Sequence, residues 1–382
     1  MSLTGPVFLG LVVVLAVGGF AGAVYAWPRL ASRTMIAVLA RAGTLVGVNL
    51  LVLLTAAVTM NDQFTFFADW TDLAGALGRT QNLTTAHGGA SAAAAADQPV
   101  PGASSVPADR PVLPAAPGAG ERVIRYTVTG SGSGITAPVV VELPVGYGDP
   151  ANRTRSYPVL ETFHGYPGDV SQWIDTMDLG GAVQSAVSKR QLSDVIIVSP
   201  SIEIPRGRDT ECVNGPSAAD PRVETWLTQD VPTWLLHTFR ARPDRASWAT
   251  IGLSAGGWCA AMATMLHPDR YAAAIVLGGY FRPEFSAAYQ PFPARSPLAQ
   301  RYDLIHLAGT GPPPVALWVE TSHSDPISYP STSLLLKQAR PPLSVTSVVL
   351  AHAGHRLSLW QGLLPQSLSW LGANIPGFAA TA

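Results

Sequence analysis

The chain has 382 residues, of which 47% are hydrophobic and only 13% charged, with a formal net charge of -1. That length excludes a small disulfide-stapled scaffold, the balance of charge offers no basic field to a nucleic-acid backbone, and the hydrophobicity excludes a disordered chain. A mean hydropathy of +0.23 is high for a wholly soluble protein and directs attention to membrane segments.

Two such segments lie at the N-terminus. Residues 7–27 form an apolar run of 21 residues, and no charged side chain precedes Arg29. At about 1.5 Å per residue, a helical run of that length crosses a ~30 Å hydrocarbon layer. The second run, residues 42–60, is interrupted only by Thr44, Asn49, Thr55 and Thr59. Arg29, Arg33 and Arg41 flank the connection, whereas Asp62, Asp69 and Asp72 follow the second run. The positive-inside bias then predicts a two-pass anchor in the cell membrane, with everything after Met60 extracytoplasmic. A cleaved signal peptide would carry a basic leader and a shorter apolar stretch than MSLTGP and its sequel provide. A buried soluble hairpin would show an amphipathic stripe, and these runs are apolar around the whole helix.

Beyond the anchor (residues 1–62), NDQFTFFADWTDL is rich in aromatic residues and suits a membrane interface. From Thr71 to Arg125 there is no aromatic residue, and the Ala, Pro, Gly and Ser content there reads as an extended tether. Residues 63–120 are therefore assigned to an interfacial segment and linker, and residues 121–382 to a globular domain. Within that domain VIRYTVTG and APVVVELPVGY suggest an opening hairpin. Buried-strand patterns follow at YPVLETF, DVIIVSP, WATIGL, AAAIVLG, PVALWVE and VTSVVLA, with helical patterns at WLTQDVPTWLLHTF, residues 255–266 and LSLWQGLLPQSLSWL. Strand alternating with helix predicts an α/β fold with a mostly parallel sheet covered on both faces.

Gly252-Leu253-Ser254-Ala255-Gly256 fits G-x-S-x-G between an apolar strand and a helix, the context in which a serine is exposed on a sharp turn. A serine hydroxyl is a weak nucleophile and needs a base held by a third group. Of the 8 histidines, His352 and His355 follow the last strand. His355 is the preferred base, because a loop there can swing the imidazole over the sheet, while His352 can still belong to the strand. Asp325, just past PVALWVE, is the preferred orienting acid, with Glu320 at the strand end as its competitor. An oxyanion needs two N–H donors. The Ala255 amide is one, and HGYPG (164–168) places the Tyr166 amide as the other. Cys212 and Cys259 are the only cysteines, and outside the cytoplasm a disulfide between them is chemically permitted; two buried thiols are the alternative. No Cys or His cluster has metal spacing, and no phosphate-binding glycine loop appears, so no cofactor is expected.

Taken together, HGYPG (164–168), DTECVNG (209–215), GLSAGGWC (252–259), HPDRY (267–271), GGY (278–280) and AGH (353–355) resemble the α/β-hydrolase group that contains the esterase D and antigen 85 mycolyltransferase proteins of actinobacteria. The resemblance covers roughly residues 121–375 and implies an α/β-hydrolase fold. It implies Ser254 as nucleophile, Asp325 as acid, His355 as base, and Tyr166 and Ala255 as oxyanion donors. The expected activity is hydrolysis of a small-molecule or lipid ester. Acyl transfer to an envelope lipid, or a non-catalytic envelope-binding role, are the alternatives.

Overall fold

The computed structural model describes residues 2–76, 83–98, 100 and 121–380. These fall into two compact units: Met1–Asn82 with His323–Pro326 and Ala351–Arg356, and the remainder of the chain.

The first unit is built on two helices, Pro6–Ala26 and Met35–Phe64, joined by a short turn. Both are long and apolar enough to cross a membrane. Their apolar side chains face outward, with Ile36 81% exposed. Four polar residues in the apolar part of the second helix are satisfied within it: the hydroxyls of Thr44, Thr55 and Thr59 each donate to the carbonyl four residues earlier at 2.8 Å, and Asn49 does so at 2.9 Å. Such back-bonding lets a polar side chain sit in an apolar helix without an orphaned donor. Thr34 caps the start of this helix, accepting from Ala37 N.

In the second unit, nine strands among the described residues form one sheet. They are β1 (Leu83–Gly89), β2 (Val123–Thr129), β3 (Thr136–Glu142), β4 (Val159–Phe163), β5 (Ile196–Pro200), β6 (Trp248–Leu253), β7 (Ala273–Leu277), β8 (Ala316–Ser322) and β9 (Ser344–Leu350). Their spatial order is β1-β9-β8-β7-β6-β4-β5-β3-β2. The six from β9 to β5 are mutually parallel, while β1, β3 and β2 run antiparallel to their neighbours. The sequence reading of a mostly parallel sheet entered by a hairpin is what the structure contains. Every residue of β4 to β8 is buried, which is why these strands read as continuous apolar runs rather than alternating ones. Helix Ala255–Leu266 packs on β6 and β7, its Ala and Gly residues allowing close approach.

One assignment needs correction. Part of the segment assigned to a linker, residues 63–120, belongs to the sheet: β1 pairs with β9 along its whole length, from Leu83 opposite Leu350 to Gly89 opposite Ser344. The short helix Ala92–Ala96 follows, capped by Ser91, with Ala92, Ala95 and Ala96 buried. Arg245 donates to the Ala96 carbonyl at 2.5 Å. Edge pairing satisfies backbone groups whatever the side chains, so a composition that cannot build a core can still complete a sheet. Residues 77–82, 99 and 101–120 of that assignment lie outside the described residues.

Cys212 and Cys259 are joined, with Cα atoms 5.7 Å apart, tying the loop after β5 to helix Ala255–Leu266. Closing a loop with a separation of 47 residues stabilises the fold by about 4 kcal/mol in the chain-entropy treatment. Cys212→Ser with Cys259→Ser is therefore expected to lower the stability by up to that amount in denaturant unfolding. Unchanged stability would show that the loop is held by its other contacts alone.

Candidate active site

Ser254 sits between β6 and helix Ala255–Leu266 with φ 55° and ψ -125°, a region that side-chain-bearing residues rarely adopt. Holding it there costs on the order of 1–3 kcal/mol, which the surrounding structure must offset. The flanking glycines explain how the turn is possible. A methyl group at Gly252 would lie 1.8 Å from the Gly256 carbonyl oxygen, and one at Gly256 would lie 2.1 Å from the Phe163 carbonyl oxygen. The Ser254 amide donates to Leu277 O at 2.9 Å, and its carbonyl accepts from Gly257 N at 2.9 Å and Trp258 N at 3.2 Å. Strand order reverses beside β4: the chain goes from β4 out to β5, then returns to β6 on the other side. Loops diverge at such a reversal and leave a crevice beyond the carboxyl ends of the strands, and Ser254 stands there.

The loop after β4, HGYPG (164–168), lies against this turn: a methyl group at Gly165 would be 3.7 Å from Ser254 Cβ. Its shape is set by a buried imidazole whose importance the sequence reading missed. His164 Nε2 accepts from Ile202 N at 3.2 Å, so the proton is on Nδ1, which donates to Gly165 O at 2.8 Å. Burial lowers the His164 pKa and favours this neutral ring. Gln172 Oε1 accepts from Gly165 N, and Glu203 Oε1 from Gly168 N, both at 2.8 Å. The only available signal was a histidine directly before a glycine at a strand end. Ala255 opens its helix, where the first amides point out of the helix with no carbonyl ahead of them.

The loops following β8 and β9 carry the other two residues. His355 Nδ1 and Asp325 Oδ2 are 3.0 Å apart, both side chains buried. Glu320 lies inside β8, where its Oε2 accepts from Gly278 N and Trp360 Nε1, each at 3.0 Å. The carboxylate beside the His355 ring is thus that of Asp325. His352 pairs instead with Asp69 at 2.9 Å.

The DTEC loop is braced from three sides: by the disulfide, by Trp258 Nε1 donating to Glu211 O at 2.7 Å, and by Tyr280 donating to Glu211 Oε1 at 2.7 Å. Burial, and then the nearby Asp209 charge, raise the Glu211 carboxyl well above its ordinary value. Trp258 and Tyr280 stack with centroids 6.3 Å apart and both are buried, so they pack the core. His267 closes helix Ala255–Leu266 and meets Glu224 at 2.7 Å. Arg301 and Tyr302 also donate to Glu224. Among the described residues, no three His, Cys, Asp or Glu side chains are grouped as a metal would need.

The wound sheet and the strained serine turn are those of the α/β-hydrolase class. The chain belongs to the Putative esterase family, whose model matches residues 134–370. It is 31% identical over 151 residues to an uncharacterized protein of Corynebacterium glutamicum, a match spanning 39% of this chain and about a third, 34%, of that relative. Among solved structures, a ferulic acid esterase superposes with a TM-score of 0.52 at 18% identity, covering 65% of this chain and 96% of that one. An S-formylglutathione hydrolase from Agrobacterium tumefaciens gives 0.54 at 14% identity, covering 66% and 95%. A fluorophosphonate-binding serine hydrolase from Staphylococcus aureus gives 0.53 at 13% identity, covering 65% and 97%. At these identities the likeness is one of fold.

Burial works against the Glu224 charge, but hydrogen bonds from Arg301, His267 and Tyr302 outweigh it and bring its carboxyl down to about 2 from 4.5. A carboxyl lowered on folding contributes stability above its unfolded pKa and loses it as pH falls through the folded value. Glu224→Gln should therefore flatten the loss of stability between pH 4.5 and about 2, as followed by thermal unfolding across that range. An unchanged slope would remove Glu224 from the acid response.

Proposed function

We propose that the protein is a membrane-anchored extracytoplasmic serine esterase that cleaves carboxylic esters through an acyl-enzyme. The observation that carries this reading is the 3.0 Å bond between His355 Nδ1 and Asp325, on loops leaving β8 and β9. Those strands are parallel to β6, so both loops depart from the sheet edge at which Ser254 turns into its helix. Ser254 Oγ attacks the ester carbonyl while His355 Nε2 takes its proton. Asp325 holds the ring in the tautomer whose Nε2 carries no proton and stabilises the imidazolium that forms. The amides of Ala255 and Tyr166 donate to the developing oxyanion, an interaction worth ~10²–10³ in rate per donor. His355 returns the proton to the departing alcohol, and water, activated by the same imidazole, then releases the acid.

The two apolar helices, with Arg29, Arg33 and Arg41 around their connection and Asp62, Asp69 and Asp72 after the second, support a two-pass anchor with the hydrolase outside. The substrate on this reading is a small-molecule or lipid ester that reaches the outer membrane surface.

Fluorophosphonate labels wild type but not Ser254→Ala on this account, and Asp325→Asn lowers kcat by up to ~10⁴-fold. Wild-type turnover in Asp325→Asn would transfer the role to Glu320, and failure of wild type to label would favour a non-catalytic binding protein. A membrane-impermeant fluorophosphonate should label Ser254 in intact cells; labelling only after lysis would reverse the sidedness.

A further inference from the structure

Residues 65–72, which leave the second long helix, are packed on both sides of the His355 position. The Thr65 carbonyl accepts from His355 N at 2.8 Å. On the residue before, Gly354 N donates to Asp72 Oδ2 at 2.8 Å. The approach is so close that a methyl group at Gly354 would lie 2.2 Å from the Phe66 carbonyl oxygen. On the residue after, Arg356 donates both guanidinium NH groups to the two Asp72 carboxylate oxygens, each at 2.7 Å, and one of them also to Phe66 O at 3.0 Å. Asp72 is 1% exposed and Arg356 8%, and the Arg356 guanidinium lies 5.0 Å from the centre of the Phe67 ring.

The segment making these contacts is itself tied to the ends of both helices. Asn61, in the last turn of the second helix, accepts from Phe67 N at 2.7 Å and donates to Phe67 O at 3.0 Å. Thr65 ends that helix in the left-handed conformation, its amide bonded to Asn61 O. Asp69 caps the helix Trp70–Ala76 through the amides of Thr71 and Asp72. Trp70 packs edge-on against Phe8 near the start of the first helix, and Asp62 accepts from Gly5 N at 2.7 Å. A continuous set of hydrogen bonds and ring contacts therefore runs from the two helix ends to the backbone on either side of His355.

We propose that Asp72 is a positioning residue: through Arg356 and Gly354 it holds the backbone that aims the His355 imidazole, and so makes the membrane-exit segment part of the hydrolase rather than a passive tether. A fixed backbone at 354 and 356 leaves the His355 ring little freedom beyond its own rotamer, with Asp325 setting the last torsion. Displacement of a catalytic group by about 1 Å costs on the order of 10²-fold in rate, so support of this kind is read in turnover rather than in substrate binding. The inference rests on the proposed roles of Ser254, Asp325 and His355.

The test uses the full chain in detergent, titrated to completion with fluorophosphonate to count working sites and assayed with p-nitrophenyl butyrate. Wild type must label and turn over; if it does neither, the esterase reading has failed, and this inference with it. With wild type active, Asp72→Asn, which keeps the shape and removes the charge, and Arg356→Lys, which keeps the charge and removes the paired donors, are each expected to lower kcat per labelled site by about 10–100-fold. KM should stay within about twofold, and final labelling should be complete. Wild-type kcat per labelled site in both variants would overturn the positioning role while leaving the esterase intact. A reduced labelled fraction with unchanged kcat per site would overturn it equally, by marking the pair as support for folding alone.

Discussion

The contact on which the site depends is the approach of the Gly256 backbone to the end of β4, where a single methyl group would meet the Phe163 carbonyl at 2.1 Å. That approach brings the start of helix Ala255–Leu266 beside the loop after β4. Between them stands Ser254 with its strained φ. The strain is sustained because β6 and the helix are buried along nearly their whole length and locked to β7 through Ser254 N and Leu277 O. Strain confined to one residue on a rigid base holds the half-buried Ser254 side chain in a fixed place, which is what electrostatic preorganisation requires.

Several buried carboxylates are paired: Glu224 with Arg301 and His267, Asp72 with Arg356, Asp325 with His355. Glu161, whose Oε2 accepts from the Tyr271 hydroxyl, has its pKa raised by burial to about 8. Removing one partner of a buried pair costs roughly 3–5 kcal/mol because the other is left uncompensated. Pairs of this type therefore act less as sources of stability than as constraints on where loops can go. The Asp72–Arg356 pair constrains the residue next to His355, and a shortened chain beginning at residue 121 would lack it.

Much of this was legible in the sequence, for identifiable reasons. The strands β4 to β9 announced themselves as apolar runs because a parallel sheet is covered on both faces. The serine turn was legible because its glycines are sterically obligatory. The contact between His355 and Asp325 accords with their places just beyond two strands, yet sequence could not separate Asp325 from Glu320 as the neighbour of that ring. The structure shows β8 continuing through Ser322, which keeps Glu320 inside the strand and commits its Oε2 to Gly278 and Trp360. β1 was missed because LTTAHGG has neither alternation nor a hydrophobic run, and its place is set by backbone pairing. The Asp72–Arg356 pair was missed because its partners are 284 residues apart and leave no local pattern. Read locally, Asp72 was only one of three acidic residues marking the outer side of a membrane.

The central claim is that the turn at Ser254 delivers a nucleophile that becomes acylated. Rapid acid quench of the full-length protein during turnover of p-nitrophenyl butyrate, followed by peptide mass spectrometry, tests it directly. The account predicts a butyryl group on the peptide containing Ser254. An enzyme turning over with that peptide unmodified, or with the acyl group on another residue, would contradict it.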